Sequence, residues 1–257
     1  LSQAHSGTFD ITFVNGEKKF VYAYELKERK ESTDDIQGYD SSDVLYLIMP
    51  DRFANGDQSN DQISMSTEYV MDRSKPGARH GGDLKGIEDH LDYFVDLGVT
   101  AIWLNPVLEN DGKGGSYHGY FSTDMFHVDR RLGSNEDYLR LINKAHQKGL
   151  RVVMDMIFNH IGANHPWVLD VPSKDWFNVS PSKRGNHAKA IFYDNYASTY
   201  DSEVMKYAGF GIDLNQANPH VGKYLIQNSI WWIEYARIDA IRQDTYPYSD
   251  FDMMREW

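Results

Sequence analysis

Cysteine is absent from the 257 residues, so the protein forms no disulfide bond and has no thiolate for catalysis or metal binding. This absence does not identify the redox compartment, because chains without cysteine fold on either side of a membrane. Long apolar runs are missing too. The longest are short pieces such as "VLYLIM", whereas a membrane-spanning helix needs roughly 18–20 apolar residues. We therefore expect no membrane partner of that kind.

Positive charge is scarce. The 26 lysines and arginines are outnumbered by 38 aspartates and glutamates, which gives a formal net charge of −12 and a pI of about 5.2. Nucleic acids and anionic membrane surfaces would repel such a chain, so we expect neither as a partner and favour a neutral substrate. Hydrophobic residues make up 41% of the sequence, which is sufficient for a globular core.

The first residues predict a small β unit. Residues 8–28, "TFDITFVNGEKKFVYAYELKE", contain two runs of alternating apolar residues joined by Asn15 and Gly16, a pair typical of hairpin turns. The polar segment that follows has no periodicity, so residues 31–43 are predicted to be a linker. The sequence starts at Leu1 without a methionine or a targeting segment, from which we expect a processed or trimmed chain.

From residue 44 onward, predicted strands alternate with predicted helices, as in a parallel sheet with crossover helices. The four strand segments are "VLYLIMPDRF", "VTAIWLNPV", "LRVVMDMIFNHI" and "ARIDAIRQDTYPY". Three helices are predicted. The first is "DLKGIEDHLDYFVDLG". The second begins with the capping-box pair Ser134 and Asp137 and ends at Gly149, and the third is "HVGKYLIQNSIWWIEYA" after Pro219. The chain after the third strand is too long for an ordinary loop, which predicts an inserted segment at about 161–205.

The number of these units decides the fold class. A complete (β/α)₈ barrel takes roughly 250 residues, but with a hairpin before it and an insertion within it only four βα units fit. The sequence therefore predicts an α/β fold in which residues 44–257 form the first half of a (β/α)₈ TIM barrel.

Polar residues stand where the predicted strands end, at "DMIFNH" and "RQD". In a barrel, the C-terminal strand ends converge, so these residues are expected to share one pocket. The residues are Asp155, Asn159, His160, Arg242 and Asp244. Arg242 and Asp244 lie two residues apart on a strand and point the same way. An arginine favours the ionised form of a neighbouring aspartate, as a nucleophile requires. A purely structural ion pair is the alternative interpretation.

These motifs resemble those of the α-amylase superfamily, glycoside hydrolase family 13. The aspartate followed by Asn-His in that family matches Asp155, Asn159 and His160, and its Arg-x-Asp motif matches Arg242 and Asp244. "YHGYFSTDMFHVDRRLGSNEDY" and "GIDLNQANPHV" resemble further family motifs, so the resemblance covers residues 40–257 in order. Within the family, "DRFANGDQSND" and "HGGDL" are similar to the neopullulanase and cyclomaltodextrinase subgroup, and "IRQDTYPY" to Bacteroides-type starch-utilisation neopullulanases.

The resemblance implies a retaining hydrolase of α-1,4-linked glucans such as maltodextrin, cyclodextrin or pullulan. It implies that Asp244 is the nucleophile and that Arg242 fixes its charge and orientation. His118, Tyr120 and His160 would contact the sugar, and Asp155 and Asn159 would belong to the same substrate site, although Asp155 is equally well explained as a hydrogen-bonding support. Residues 1–30 would be the C-terminal hairpin of an N-terminal β-sandwich domain, through which subgroup members often form homodimers.

A calcium site is predicted in the loop "NGDQSND". Closely spaced amide and carboxylate oxygens in a turn suit a cation that takes six to eight oxygen ligands, although such clusters also simply make turns. The resemblance adds a glycine carbonyl and a further aspartate. The predicted ligands are Asn55, Asp57, Asn60, Asp61, Gly81 and Asp83.

The sequence departs from the family in two places. Pro247 and Tyr248 stand where the common pattern has Lys-His, so the neighbouring sugar contacts and a second calcium site known in many amylases are not expected to be conserved. The family's general-acid Glu and its transition-state-stabilising Asp belong to the fifth and seventh strands, beyond residue 257. We therefore expect residues 1–257 alone to be inactive.

Two other functions are compatible with the residues. The chain could be a non-catalytic carbohydrate-binding or scaffold protein with an amylase-like fold, or a metal-dependent barrel enzyme that uses Asp155 and His160 as ligands. The second is disfavoured because no further histidine has matching spacing. The Bacteroides-type resemblance indicates a periplasmic protein, with the cytoplasm as the alternative.

Overall fold

The computed structural model describes residues 5–28, 36, 38–63, 71–112, 115–178 and 211–257. The chain divides into two compact units, Leu1–Asp35 and Ile36–Trp257. Part of the predicted linker, at residues 31–35 and 37, and residues 179–205 of the predicted insertion lie outside the described residues. The two units are described separately below.

The first unit is the predicted hairpin. Strands β1 (Gly7–Asn15) and β2 (Lys18–Leu26) pair in antiparallel register from Gly7 opposite Leu26 to Asn15 opposite Lys18. Gly16 in the connecting turn has φ of +58°, which glycine adopts without a Cβ penalty. The sequence prediction of a hairpin is confirmed, while its assignment to a β-sandwich domain stays a prediction.

The second unit contains six strands and six helices among the described residues. The strands are β3 (Leu45–Ile48), β4 (Ala101–Leu104), β5 (Arg151–Ile157), β6 (His160–Ile161), β7 (Ile212–Asp213) and β8 (Ala240–Asp244). The helices are α1 (Pro50–Phe53), α2 (Leu84–Asp89), α3 (Leu91–Asp96), α4 (Asn135–Gln147), α5 (Pro219–Ala236) and α6 (Phe251–Glu256). Short 3₁₀ turns cover Gln58–Asn60, Pro166–Val168 and Tyr246–Tyr248.

Four strands form one parallel sheet in the order β3-β4-β5-β8. Each strand therefore lies beside the next main strand of the chain, with helices in the crossovers, as in one half of a (β/α)₈ barrel. The predicted fold class is confirmed. Strands β6 and β7 pair separately in antiparallel fashion, with His160 opposite Asp213.

The helix boundaries follow from local capping. The Ser134 side chain accepts from the Asp137 amide and the Asp137 carboxylate accepts in return from the Ser134 amide, which is the predicted capping box of α4. The Asn218 side chain caps α5 by accepting from the His220 amide, and Pro219 takes the first helical position, where its missing N–H costs nothing.

Several boundary predictions are wrong. The predicted fourth strand, residues 236–248, is shorter in the structure, where β8 covers Ala240–Asp244 and a 3₁₀ turn covers Tyr246–Tyr248. Residues 83–98 form two helices, because the backbone turns away at His90 (φ −114°, ψ 18°). The His90 imidazole Nδ1 bonds to the Gly86 carbonyl at 2.7 Å, which is the acceptor that the backbone amide of a continuous helix would use. The first strand ends at Ile48, because Pro50 has no N–H for a sheet and instead begins α1.

One hydrophobic cluster joins the sheet to the helices. It includes Ile102 and Leu104 of β4, Leu141 of α4, and Leu225 and Trp232 of α5, each at most 1% exposed. These strand residues alternate with side chains on the opposite face of the sheet. In the part of the chain that the structure describes, no helix has both the length and the apolar character needed to cross a bilayer.

Candidate active site

Strand register brings the predicted site residues to one face of the sheet. On β5 and β8, Asp155 lies opposite Arg242, and Asp244 follows Arg242 by two residues. On β4, Trp103 lies opposite Val153, which precedes Asp155 by two. Because side chains alternate along a strand, all of these side chains share one face at the C-terminal ends of the strands. Of the five residues predicted to converge, strand register thus brings Asp155, Arg242 and Asp244 together.

Arg242 bridges two carboxylates. Its Nη1 atom lies 3.0 Å and 3.1 Å from the two oxygens of Asp155 and 2.8 Å from Oδ1 of Asp244. Burial acts against the charge of Arg242, but the neighbouring Asp155 and Asp244 outweigh it and raise the pKa of Arg242. The guanidinium therefore stays charged and fixes the position of both carboxylates.

Asp155 is the most buried member of this group, at 1% exposure. Its Oδ2 atom accepts hydrogen bonds from Trp103 Nε1 at 3.0 Å and from the Tyr120 hydroxyl at 2.9 Å, in addition to the arginine. Burial raises the pKa of Asp155 to about 6, although these donors and Arg242 favour the carboxylate. Asp155 is therefore mostly ionised at neutral pH and takes up a proton as the pH falls through about 6.

The loop after β4 carries His118 and Tyr120 to the same place. The Tyr120 amide donates to His118 Nδ1 at 3.1 Å, and the two rings stack with centroids 5.6 Å apart. Gly119 between them has φ of +90°, and a Cβ there would lie 2.2 Å from the Pro106 carbonyl oxygen. Asn105 donates to the His118 carbonyl at 3.2 Å. The loop thus lies so close to the strand end that only glycine fits at its centre.

Asn159 and His160 follow β5 and are both buried. Burial lowers the pKa of His160 to about 4, so the imidazole is neutral at physiological pH. Its Nε2 donates to the Tyr120 carbonyl at 3.1 Å, and its Nδ1 faces Asn159 Nδ2 at 3.3 Å, a pattern that assigns the proton to Nε2. His160 therefore supports the main chain of Tyr120. Its predicted contact with a sugar stays a prediction.

Sequence analysis missed two residues of this region. Trp103 was not singled out, although the indole N–H of a tryptophan inside a strand needs a hydrogen-bond partner when buried. Asp213 of β7 is 2% exposed, accepts from Asn178 Nδ2 at 2.8 Å, and has its pKa raised to about 7 by burial. Its pairing with His160 across β6 and β7 could have been suspected only from "GIDLNQANPHV".

The predicted calcium ligands lie in one region after α1, where several of them already bond to protein groups. The Asp83 carboxylate accepts from the amides of Gly56, Asp57 and Gly86, and so caps α2. The Asp57 carboxylate accepts from the Ser59 amide at 2.9 Å. Within the described residues, no group of three His, Cys, Asp or Glu side chains is arranged to hold a metal ion. A site here would need amide and carbonyl oxygens in addition to carboxylates.

Such oxygens are present. Asn55 Oδ1 and Asn60 Oδ1 are buried and have no hydrogen-bond partner among the residues that the structure describes. Asn55 Nδ2 lies 2.6 Å from Asp61 Oδ1, so the two side chains are adjacent. A Cβ at Gly81, whose φ is +82°, would lie 2.6 Å from the same Asp61 oxygen. Two unsatisfied buried acceptors beside a carboxylate fit a hard cation.

The fold and the cluster of Asp155, Arg242 and Asp244 at the strand ends, called the rim below, define the class of protein. It is a segment of a (β/α)₈ barrel in which an arginine bridges two carboxylates. The chain belongs to the α-amylase family, since the family described as alpha amylase, catalytic domain, matches residues 47–254. This membership confirms the resemblance drawn from the motifs.

Relatives with known names agree with the predicted subgroup. Intracellular maltogenic amylase of Bacillus subtilis is 36% identical over 213 residues, which are 79% of this chain and 33% of the relative. Neopullulanase 2 of Thermoactinomyces vulgaris is 31% identical over 250 residues, which are 93% of this chain and 39% of the relative. The crystal structure of an Anoxybacillus α-amylase matches with a TM-score of 0.67 and 37% identity over 87% of this chain and 44% of that chain. The chain thus spans less than half the length of these relatives.

Proposed function

We propose that the protein is a retaining glycoside hydrolase that cleaves α-1,4-linked glucans such as maltodextrins, cyclodextrins or pullulan. The observation that carries this proposal is the bridge from Arg242 to Asp155 and Asp244, at 2.8–3.1 Å, at the strand ends of an α-amylase-family domain. The names of relatives, among them a neopullulanase and a maltogenic amylase, support an α-glucan substrate.

In this proposal, a carboxylate oxygen of Asp244 attacks the anomeric carbon while the glycosidic C–O bond breaks. The leaving oxygen takes a proton from a general acid, which the family resemblance assigns to a strand beyond residue 257. The deprotonated general acid then takes a proton from a water molecule, whose oxygen attacks the anomeric carbon, so that the ester C–O bond breaks, the sugar leaves with its original α configuration and Asp244 is freed as a carboxylate. Arg242 orients Asp244, since it donates to that carboxylate at 2.8 Å.

Product stereochemistry tests this proposal. The protein expressed from its complete reading frame is expected to hydrolyse maltoheptaose, and proton NMR during the first turnovers should detect the α anomer before mutarotation. Initial accumulation of the β anomer would contradict a nucleophilic role for Asp244. If maltoheptaose binds but no α-glucan is cleaved, the non-catalytic carbohydrate-binding alternative is correct.

We also propose that Ca²⁺ binds beside the loop after α1. Asn55 Oδ1, Asn60 Oδ1, the Asp61 carboxylate and the Gly81 carbonyl would hold the ion, with Asp57 and Asp83 completing the oxygen set. Two of these oxygens are buried acceptors without a partner among the described residues, which a cation would satisfy. Bound calcium would rigidify the loop next to α2 and would supply no step of the reaction.

Thermal unfolding with and without chelator tests the calcium proposal. At calcium about 100-fold above Kd, binding stabilises the folded state by about 2.7 kcal/mol, so Tm should rise on addition of calcium and fall with chelator. Asp61→Ala should abolish this response. Asp72→Asn is a matched control, because Asp72 lies on the same stretch of chain but bonds to Ser74 and Lys75. An unchanged Tm and no heat of binding by calorimetry would refute the site.

A further inference from the structure

Trp103 has no place in the hydrophobic core. Its neighbours on β4, Ile102 and Leu104, belong to the buried cluster, whereas Trp103 is half-buried and is not among the residues of the described chain that form or pack against that cluster. Its large ring instead lies on the polar face of the sheet. A tryptophan in that place needs an explanation other than core packing.

The contacts of Trp103 give one. The indole Nε1 donates to Asp155 Oδ2 at 3.0 Å, and the Arg242 guanidinium carbon lies 5.1 Å from the centre of the indole ring. One side chain therefore holds Asp155 by a hydrogen bond and Arg242 by a cation–π contact. The Arg242 Nη1 atom that bonds to Asp155 also bonds to Asp244, at 2.8 Å.

Because Arg242 Nη1 bonds to both Asp155 and Asp244, the position of Asp155 affects the contact between Arg242 and Asp244. Nη1 serves both carboxylates, so a displacement of Asp155 changes how strongly Arg242 is drawn towards Asp244. Two further donors fix Asp155 Oδ2: the Tyr120 hydroxyl, on a loop, and the Trp103 indole, on a strand. A donor on a strand is the more rigid support, because the parallel sheet fixes its backbone.

We propose that Trp103 is a positioning residue for the nucleophile, which holds Asp155 and Arg242 in the arrangement that presents Asp244 to the substrate. This inference rests on the proposed function for its effect on turnover. Trp103 does not touch the reacting atoms in this view. It acts through two contacts. Its N–H holds Asp155 by a hydrogen bond, and its ring face holds Arg242 by a cation–π contact.

Paired substitutions separate the two parts. Trp103→Phe keeps an aromatic ring and removes the donor, and Trp103→Tyr keeps a ring with a donor at its tip. With α-maltosyl fluoride, whose leaving group needs no proton, Trp103→Phe is expected to lower kcat about tenfold with little change in KM. Trp103→Tyr should retain more of the rate. Trp231→Phe on α5, outside the site, is the control for loss of an indole.

The pH profile gives a readout that packing alone would not move. The titratable groups in contact with Asp155 are Arg242 of β8 and Tyr120 of the loop after β4. Asp244, His118 and His160 lie behind these two, since Asp244 bonds to Arg242, and His118 and His160 contact Tyr120. A donated N–H favours the carboxylate, so its loss raises the pKa of Asp155, and the acid limb of kcat should move up by about one pH unit in Trp103→Phe. An unmoved limb, or equal rate losses in both variants with matching falls in Tm, would reduce Trp103 to a packing residue.

A spectroscopic measurement keeps the inference separate from the proposed function. The indole N–H resonance of Trp103, assigned by its absence in Trp103→Phe, should shift as the pH crosses about 6 and should stop doing so in Asp155→Asn. If the wild-type protein cleaves no α-glucan but this resonance titrates, the proposed function fails and the link between Trp103 and Asp155 stands. A resonance that does not respond to pH overturns the inference whatever the activity.

Discussion

Asp244→Ala is expected to reduce hydrolysis of α-maltosyl fluoride roughly 10⁴-fold, in a protein that folds and binds substrate as before. The reason is chemical: without the carboxylate no glycosyl ester forms, and water is a poor replacement for a held nucleophile. Arg242 would remain bonded to Asp155 at 3.0 Å, so the rim should keep most of its structure. The measurement is fluoride release, with Tm and maltooligosaccharide binding recorded for the same variant.

Added azide sharpens this experiment. The alanine leaves a space beside Arg242 that a small anion can enter, and azide would attack the anomeric carbon from the side of the lost carboxylate. Turnover should recover and the product should be β-maltosyl azide, because a single displacement inverts the configuration. Asp252→Ala is the matched control, since Asp252 is exposed on α6 and pairs only with Arg255 among the described residues. An α-azide product, or no rescue, would argue against Asp244 as the nucleophile.

The rim was predictable from the sequence because strands have a strict period of two. Arg242 and Asp244 had to share a face, and the C-terminal strand ends of a barrel had to converge, whatever the surrounding side chains. The link from β5 to β8 followed once Asp155 was placed on the neighbouring strand. Both the shared face and the convergence of strand ends follow from backbone geometry, so the spacing of residues in short motifs is enough to predict them.

Three other features of the fold and the site depend on side-chain contacts, which the spacing of residues along the sequence does not reveal. The break at His90 required an imidazole to take the Gly86 carbonyl, a competition between ring and backbone that periodicity does not register. The neutral state of His160 follows from complete burial against the Tyr120 carbonyl, which only the packed structure reveals. Trp103 had the alternation of a strand residue, and its role became visible only when its N–H was found on Asp155.

A polypeptide of residues 1–257 alone is expected to show no turnover of maltodextrin. On the parallel sheet, the two carboxylates that share the face of Arg242 are Asp155 and Asp244, and both accept hydrogen bonds from Arg242, so neither is placed as a general acid. General-acid catalysis typically contributes about 10²–10⁴-fold, and a glucosyl leaving group cannot depart readily without it. α-Maltosyl fluoride, which needs no acid, should suffer the smaller deficit of the two substrates.

Folding is expected to limit the same polypeptide. In the described part of the chain, β3 and β8 each pair with a single strand of the parallel sheet, and Leu47 of β3 is 52% exposed. Open strand edges beside apolar side chains favour association between copies, so gel filtration should detect aggregates of this polypeptide. The activity control is the same polypeptide with Asp244→Ala, which reports contaminating host amylase. Maltodextrin turnover above that control, by a monomeric fraction, would show that the two carboxylates of this rim suffice for catalysis.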